Sequence, residues 1–277
     1  MNLCSPLRSA TPISGGDINE AYKLVLADGS QVFMKANRSV DPAFFQAEAD
    51  GLEALRATGA ISIPKVIDTG RDPQYGVYLL MEWVEPAMQR HDFWEAFGHN
   101  LAAMHRAPAG RFGWVKDNYI GTSRQINAPH DSWIAFYRDC RLAPQFKSAE
   151  RCFDAAIRRR ITSLLDHLED YLVEPPRPSL LHGDLWSGNF ITGSDGQAWL
   201  IDPAVYVGHA EADLAMTELF GGFHPRFYAA YREVNPLQPG YEQRRDLYNL
   251  YHLLNHLNLF GRGYLSSVLR ILSRYES

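Results

Sequence analysis

The sequence predicts an α+β fold in which short antiparallel strands come first and helices dominate the remainder. Three observations carry that expectation. Tyr22-Lys23-Leu24-Val25-Leu26 and Gln31-Val32-Phe33-Met34-Lys35 are strand-like runs joined by Ala27-Asp28-Gly29-Ser30, a turn by composition. Apolar residues then recur at helical spacing over residues 92–106, 151–172 and 241–260. Between the last two stretches stands a second turn signal, Gly193-Ser194-Asp195-Gly196, flanked by β-prone segments.

At 277 residues the chain is long enough for a large core, as one domain or two lobes. A content of 46% hydrophobic and 21% charged residues is that of a globular, enzyme-like protein rather than a disordered one. The net charge of −5 argues against a general nucleic-acid or anionic-membrane surface. Cys4, Cys140 and Cys152 are odd in number and lack zinc spacing, which suggests reduced thiols. The opening MNLCSPLRSA has no apolar signal core, and no apolar run is long enough to span a bilayer. A cytoplasmic protein without nucleic-acid or membrane partners is expected.

In chain order, Gly15-Gly16 precedes the first strand run. Its backbone N–H groups could lie over phosphates, and the residues read equally as a plain turn. Lys35 ends the second strand. Asp41-Pro42 is a helix start, with Asp as N-cap and Pro at the first helical position. Phe45, Glu48, Leu52 and Leu55 form the stripe of that helix. Glu48 is its one charge and needs a cationic partner if covered; otherwise it reaches out at the helix edge. Tyr78 to Pro86 is a continuous apolar strand stopped by a proline. Asp92 caps a helix running to Arg106, with Trp94, Phe97, Leu101 and Met104 on one face; His99 and His105 read as packing or surface residues. Residues 112–126 form a loop rich in turn formers and aromatics. Trp133 to Arg141 is a helix, and Arg151 to Leu172 a longer one with Arg158-Arg159-Arg160 on its solvated face. Pro175-Pro176-Arg177-Pro178 ends it.

The stretch from 179 to 204 carries the chemistry. With Asp195-Gly196 as a two-residue turn, 194 pairs with 197, 192 with 199 and 190 with 201. That register sets Asn189 beside Asp202, with Asp184 just upstream. Two carboxylates and a carboxamide suit a hard cation such as Mg2+, and Asp184 is left over as a proton acceptor. The alternative is a set of ordinary loop hydrogen bonds. His209, Glu211 and Asp213 alternate, which aligns side chains only on a strand; Glu211 to Leu219 reads as a helix, so they form no metal cluster. Phe223 to Asn235 is helical, and Tyr241 to Phe260 is a long helix striped by Leu247, Leu250, Leu254 and Leu257. Near its end Asn255 and His256 either touch a sugar or make core hydrogen bonds.

His182, Asp184, Leu185 and Asn189 match H-x-D-L-x-x-x-N, the kinase catalytic loop, and Asp202 stands where the second metal-binding residue of a kinase falls. The full string HGDLWSGN followed by DPA resembles, more narrowly, the fructosamine kinase (ketosamine 3-kinase) family. That family shares a superfamily with aminoglycoside phosphotransferases and choline kinases. The resemblance implies a two-lobed, protein-kinase-like fold, with residues 1–85 a small nucleotide-binding lobe and 86–277 a catalytic and substrate-binding lobe. It implies ATP and Mg2+, with Asp184 as base and Asn189 and Asp202 on the metal. Lys35, set by Glu48, and the Gly15-Gly16 loop would meet phosphates; Met81, Glu82, Trp83 and Val84 would form the adenine hinge. Trp186, Tyr206, His209 and Asn255 would line the acceptor pocket, and His182 and Asp213 would brace the loop. The implied acceptor is the 3-hydroxyl of a ketosamine, free or on protein lysines, acted on by a monomeric deglycating enzyme. The chain departs from many relatives in having Asp17 where they carry a cysteine, so a thiol switch does not transfer. A kinase for an aminoglycoside, choline or another sugar is the nearest alternative. Intact Lys35, Asp184, Asn189 and Asp202 argue against a non-catalytic nucleotide-binding regulator.

Overall fold

The computed structural model describes residues 1, 3–13 and 18–275. Gly15, Gly16 and Asp17, expected in a phosphate-facing loop, lie outside the described residues. The first half of the expectation is met by β1 (Leu7–Ile13), β2 (Glu20–Leu26), β3 (Gln31–Asn37), α1 (Pro42–Ala57), β4 (Val66–Asp72) and β5 (Gly76–Glu82). The strands form an antiparallel sheet in the order β1-β2-β3-β5-β4. β1 has no alternating apolar residues and is mostly exposed, so its edge position rests on pairing with β2 rather than on burial. Pro12 is tolerated there because an edge strand need not donate on its outer side. α1 begins as its sequence dictates: the Asp41 carboxylate accepts from the Ala43 N–H and Pro42 fills the first turn. Phe45, Ala49, Leu52 and Leu55 are buried, while the Glu48 side chain keeps 12% of its surface exposed.

The remainder comprises α2 (Phe93–Arg106), β6 (Asn118–Ile120), β7 (Ser123–Gln125), α3 (Trp133–Phe136), α4 (Ala143–Ser148) and α5 (Ala155–Asp166). β8 (Ser179–Leu181), β9 (Phe190–Thr192), β10 (Ala198–Leu200) and β11 (Tyr206–Gly208) follow. α6 (Ala210–Leu219), α7 (Pro225–Val234), α8 (Tyr241–Phe260) and α9 (Leu265–Leu272) complete the described fold. No helix among the described residues is long and apolar enough to cross a membrane. One buried cluster lies among the helices around Trp133, Tyr137, Tyr206 and Leu250. A second joins α1 and β5 to α2 and α7, so the sheet and the helical part share a core.

Four local readings change. Asp92 stands at the α2 N-cap but makes no capping bond; its carboxylate takes Arg90 instead. The loop at 112–126 contains the β6–β7 hairpin, held by buried amides rather than by an apolar pattern. The helix from Trp133 widens into a π-turn over Tyr137–Leu142, which turns Arg141 into the core against the Tyr206 ring at 3.9 Å. The expected helix from Arg151 to Leu172 starts only at the Asp154 cap and stops at His167. There the imidazole Nδ1 binds the Ser163 carbonyl and the chain tightens into one 3-10 turn.

Candidate active site

The hairpin that organises the site is shifted by one residue from the expected register. Thr192 pairs with Ala198, Ile191 with Trp199 and Phe190 with Leu200. A three-residue loop, Ser194 to Gly196, replaces the two-residue turn. Gly193 accepts from Gly196 and donates to Gln197, and Gly196 takes the left-handed conformation at φ 70°. The Asp-Gly pair therefore makes a type I turn with a glycine bulge, the next most common hairpin closure. Asn189 consequently faces Ile201, whose N–H donates to the Asn189 carbonyl at 3.1 Å, and Asp202 follows directly. Asp202 has φ 57°, a left-handed conformation that aspartate tolerates better than most residues.

Lys35 crosses from β3 to this point. Its Nζ lies 2.6 Å from Glu48 Oε1 and 2.5 Å from Asp202 Oδ1. Burial alone would lower the lysine pKa, but the charges of Asp202 and Glu48 outweigh it and hold the ammonium well above its ordinary value. The Asn189 amide donates to the Asp184 carbonyl at 2.7 Å and to Asp184 Oδ2 at 3.1 Å, which leaves its own oxygen as an acceptor. Burial pushes the Asp184 carboxyl up to about 7; the Asn189 bond opposes this, while the charges of Asp202 and Asp213 add to it.

The loop carrying Asp184 is pinned from below. Asp213 accepts the His182 N–H at 2.7 Å and the Gly183 N–H at 2.8 Å, and His105 Nε2 lies 3.1 Å from it. Burial would raise this carboxyl, yet His105, His182 and the Gly183 N–H hold it below its usual value. Gly183 is required: its φ is 82° and a Cβ would meet the Ala204 carbonyl at 2.0 Å. His182 Nε2 binds the Ile201 carbonyl at 2.9 Å and its Nδ1 accepts from the Asp184 N–H at 3.3 Å. The 118–127 amides hold the other flank, with Asn118 donating to the Val205 carbonyl and Gln125 to that of Ala204. His105, Asn118 and Gln125 gave no chemical signal in sequence, since a buried polar side chain is recognised only by what it meets.

Lys35, Glu48, Asp184, Asn189 and Asp202 share a cavity of about 1080 Å³. Its lining includes Phe33, Met81, Glu82, Trp83 and Val84 from the sheet side, Asp184, Trp186, Asn189 and Asp202 from the hairpin region, and Asn255, His256, Phe260 and Tyr264 from the C-terminal helices. The Glu82 N–H is spent on the Lys65 carbonyl at 2.8 Å, so its backbone has only the carbonyl to offer. Trp83 turns its ring beneath Lys23, 4.2 Å from the ammonium, and donates to Glu85. Trp186 is 36% exposed at the mouth and meets the Phe220 ring edge-on. The expectation for Tyr206 and His209 is corrected: neither lines the cavity. β11 pairs beneath β8, which sends Tyr206 into the helical core, and the His209 ring caps α6 by accepting from the Glu211 N–H. Glu211 is paired by Arg244 at 2.7 and 2.9 Å, and no cluster of three or more metal-binding side chains occurs among the described residues. Asn189 and Asp202 thus offer a cation two oxygen-bearing side chains. That fits Mg2+, which keeps waters and takes its other ligands from phosphates.

A family model described as fructosamine kinase matches residues 4–277. A probable ketoamine kinase of Synechocystis sp. is 44% identical over 95% of this chain and 88% of its own length. A chloroplastic protein-ribulosamine 3-kinase of Arabidopsis thaliana is 43% identical over 95% and 81%. A solved structure from Thermobifida fusca, described as a candidate fructosamine-3-kinase, has a TM-score of 0.86 at 36% identity, covering 96% of this chain and 93% of that one. In fold alone the likeness reaches an aminoglycoside phosphotransferase solved with AMP-PNP and hygromycin B, at TM-score 0.66 and 17% identity over 97% and 92%.

Proposed function

The chain belongs to the fructosamine kinase family, and we propose that it transfers the γ-phosphoryl group of ATP to the 3-hydroxyl of a ketosamine. The observation that carries this reading is the meeting of Lys35, Glu48, Asp184, Asn189 and Asp202 along one cavity. Residues 1–85 serve as the nucleotide lobe and 86–277 as the catalytic lobe. Met81 lies beside the adenine, with the Glu82 carbonyl and Val84 N–H addressing its edge and Trp83 completing the hinge. Lys35, oriented by Glu48, meets the phosphates.

The acceptor hydroxyl gives its proton to Asp184 as its oxygen bonds to phosphorus and the bond to ADP breaks. A carboxyl pushed up to about 7 suits a proton acceptor near neutral pH. Asn189 and Asp202 would hold Mg2+, which when bound neutralises charge on the nucleotide phosphates. Asn189 also fixes the Asp184 carboxylate, and His182 and Asp213 fix the loop beneath. Positioning and electrostatics therefore carry the rate, as expected for phosphoryl transfer. Trp186 and Asn255 lie at the acceptor end. The acceptor is a fructosamine or ribulosamine, free or on a protein lysine, and its phosphorylation initiates deglycation. The names of the ketoamine and ribulosamine kinases support that class. A monomer in the cytoplasm is the state we infer, and the free cysteines suit that compartment.

The test is turnover of ATP with Mg2+ on ribulosyl-lysine, fructosyl-lysine and glycated protein, with choline and an aminoglycoside alongside. Ketosamine turnover is expected, lowered about 100-fold or more in Asp184→Asn while ATP binding persists. Turnover of the other acceptors alone would overturn the reading.

A further inference from the structure

Among the described residues, Asp184 is hydrogen-bonded at one carboxylate oxygen only. Oδ2 accepts from Asn189, whereas Oδ1 has a second neighbour 3.9 Å away, His252 Nδ1. His252 stands on α8 one turn before Asn255 and His256, its ring meets Tyr251 edge-on at 5.2 Å, and it is 3% exposed. Its Nδ1 is buried and makes no hydrogen bond among the described residues. A buried ring nitrogen without a partner is costly to keep, and the carboxylate oxygen it approaches belongs to the residue that takes the proton. Their separation exceeds a hydrogen bond by about 1 Å, the kind of gap that closes when a substrate complex tightens.

We propose that His252 is a second positioning residue for the reaction: in the ternary complex its Nδ1–H donates to Asp184 Oδ1 and fixes the carboxylate toward the acceptor hydroxyl. The proposal rests on Asp184 being the base. His252 is not among the residues that line the cavity, so its effect is expected on kcat rather than on KM.

The experiment compares His252→Asn, His252→Gln and His252→Leu. An asparagine carries its amide N–H near the position of Nδ1, whereas glutamine places it near Nε2. The expected result is kcat within about threefold of wild type for His252→Asn and about 10- to 100-fold lower for the other two, with KM for ATP unchanged. Equal kcat in the Asn and Gln variants would overturn the proposal even if the Leu variant failed to fold. A substrate-independent readout separates this inference from the functional reading. In wild type, 15N–1H correlation of the His252 ring is expected to show the proton on Nδ1, with its resonance moved by Asp184→Asn. A proton on Nε2 instead would sink the idea whatever the acceptor turns out to be.

Discussion

Lys35 stands between two carboxylates that arrive from α1 and from the end of the β9–β10 hairpin. For a strand-end lysine that only met phosphates, Lys35→Met would lower turnover far more than stability. The geometry alters that expectation, because Lys35 and Glu48 keep only 9% and 12% of their side chains exposed. Removing one partner of a buried pair strands the other, at about 3–5 kcal/mol. Lys35→Met is therefore expected to lose both turnover and stability, and Lys35→Met/Glu48→Gln to recover most of the stability without turnover. Urea midpoints and ketosamine turnover of the three proteins check this. A double variant as unstable as the single one would show that Glu48 is not the stranded charge. That Lys35, Glu48, Asp184, Asn189 and Asp202 would lie together was legible in the sequence from their types and order, and the structure brings all five to one cavity. Tyr206 and His209 were misplaced because their loop position said nothing of which face β11 would turn inward.

At the scale of elements, the helix caps and strand pairs follow local chemistry, and one cap makes stability depend on pH. His209 Nδ1 must be unprotonated to accept the Glu211 N–H, while Nε2–H donates to Gln238. Burial pushes its pKa down to about 4, against the pull of Glu211. An unfolded histidine titrates near 6.5. Below that pH the unfolded chain gains a proton that the folded chain refuses until about pH 4. The contribution is thus complete above about 6.5 and is lost as pH falls toward 4, at most about 3 kcal/mol. Burial likewise lowers His252, to about 3, and His182, so they steepen the same limb. Urea midpoints between pH 7.5 and 5 are expected to fall, and His209→Asn, which caps without titrating, to flatten part of the slope. An unchanged slope would remove His209 from the account. The hairpin shows where local reading stops: Asp-Gly marked the turn, but a three-residue loop with Gly196 as bulge closes it, and only the ladder decides between the two.

For the whole molecule, activity depends on holding the sheet and α1 against the helical part. α1 comes close at Gly51, where a Cβ would lie 3.0 Å from Val205 Cγ2, three residues beyond Asp202. Phe44 packs on Tyr119 with ring centroids 4.8 Å apart, and the Leu200 N–H donates to the Ser62 carbonyl. A larger residue at 51 would lever Glu48 and Lys35 away from Asp202. Overpacking of this kind costs about 1–3 kcal/mol, so Gly51→Val is expected to weaken ATP binding about tenfold or more in calorimetry. Affinity within twofold of wild type would mean that the junction yields elsewhere. By itself the sequence determined the α+β class, most helices and strands, and which polar residues gather at the candidate site, because periodicity, capping and side-chain type act over short spans. Only the tertiary structure decided the hairpin register, the π-turn that buries Arg141, the brace of His105, Asn118 and Gln125, and the approach of His252 to Asp184. Each of those depends on which distant groups meet once the core closes, and no local pattern encodes the meeting.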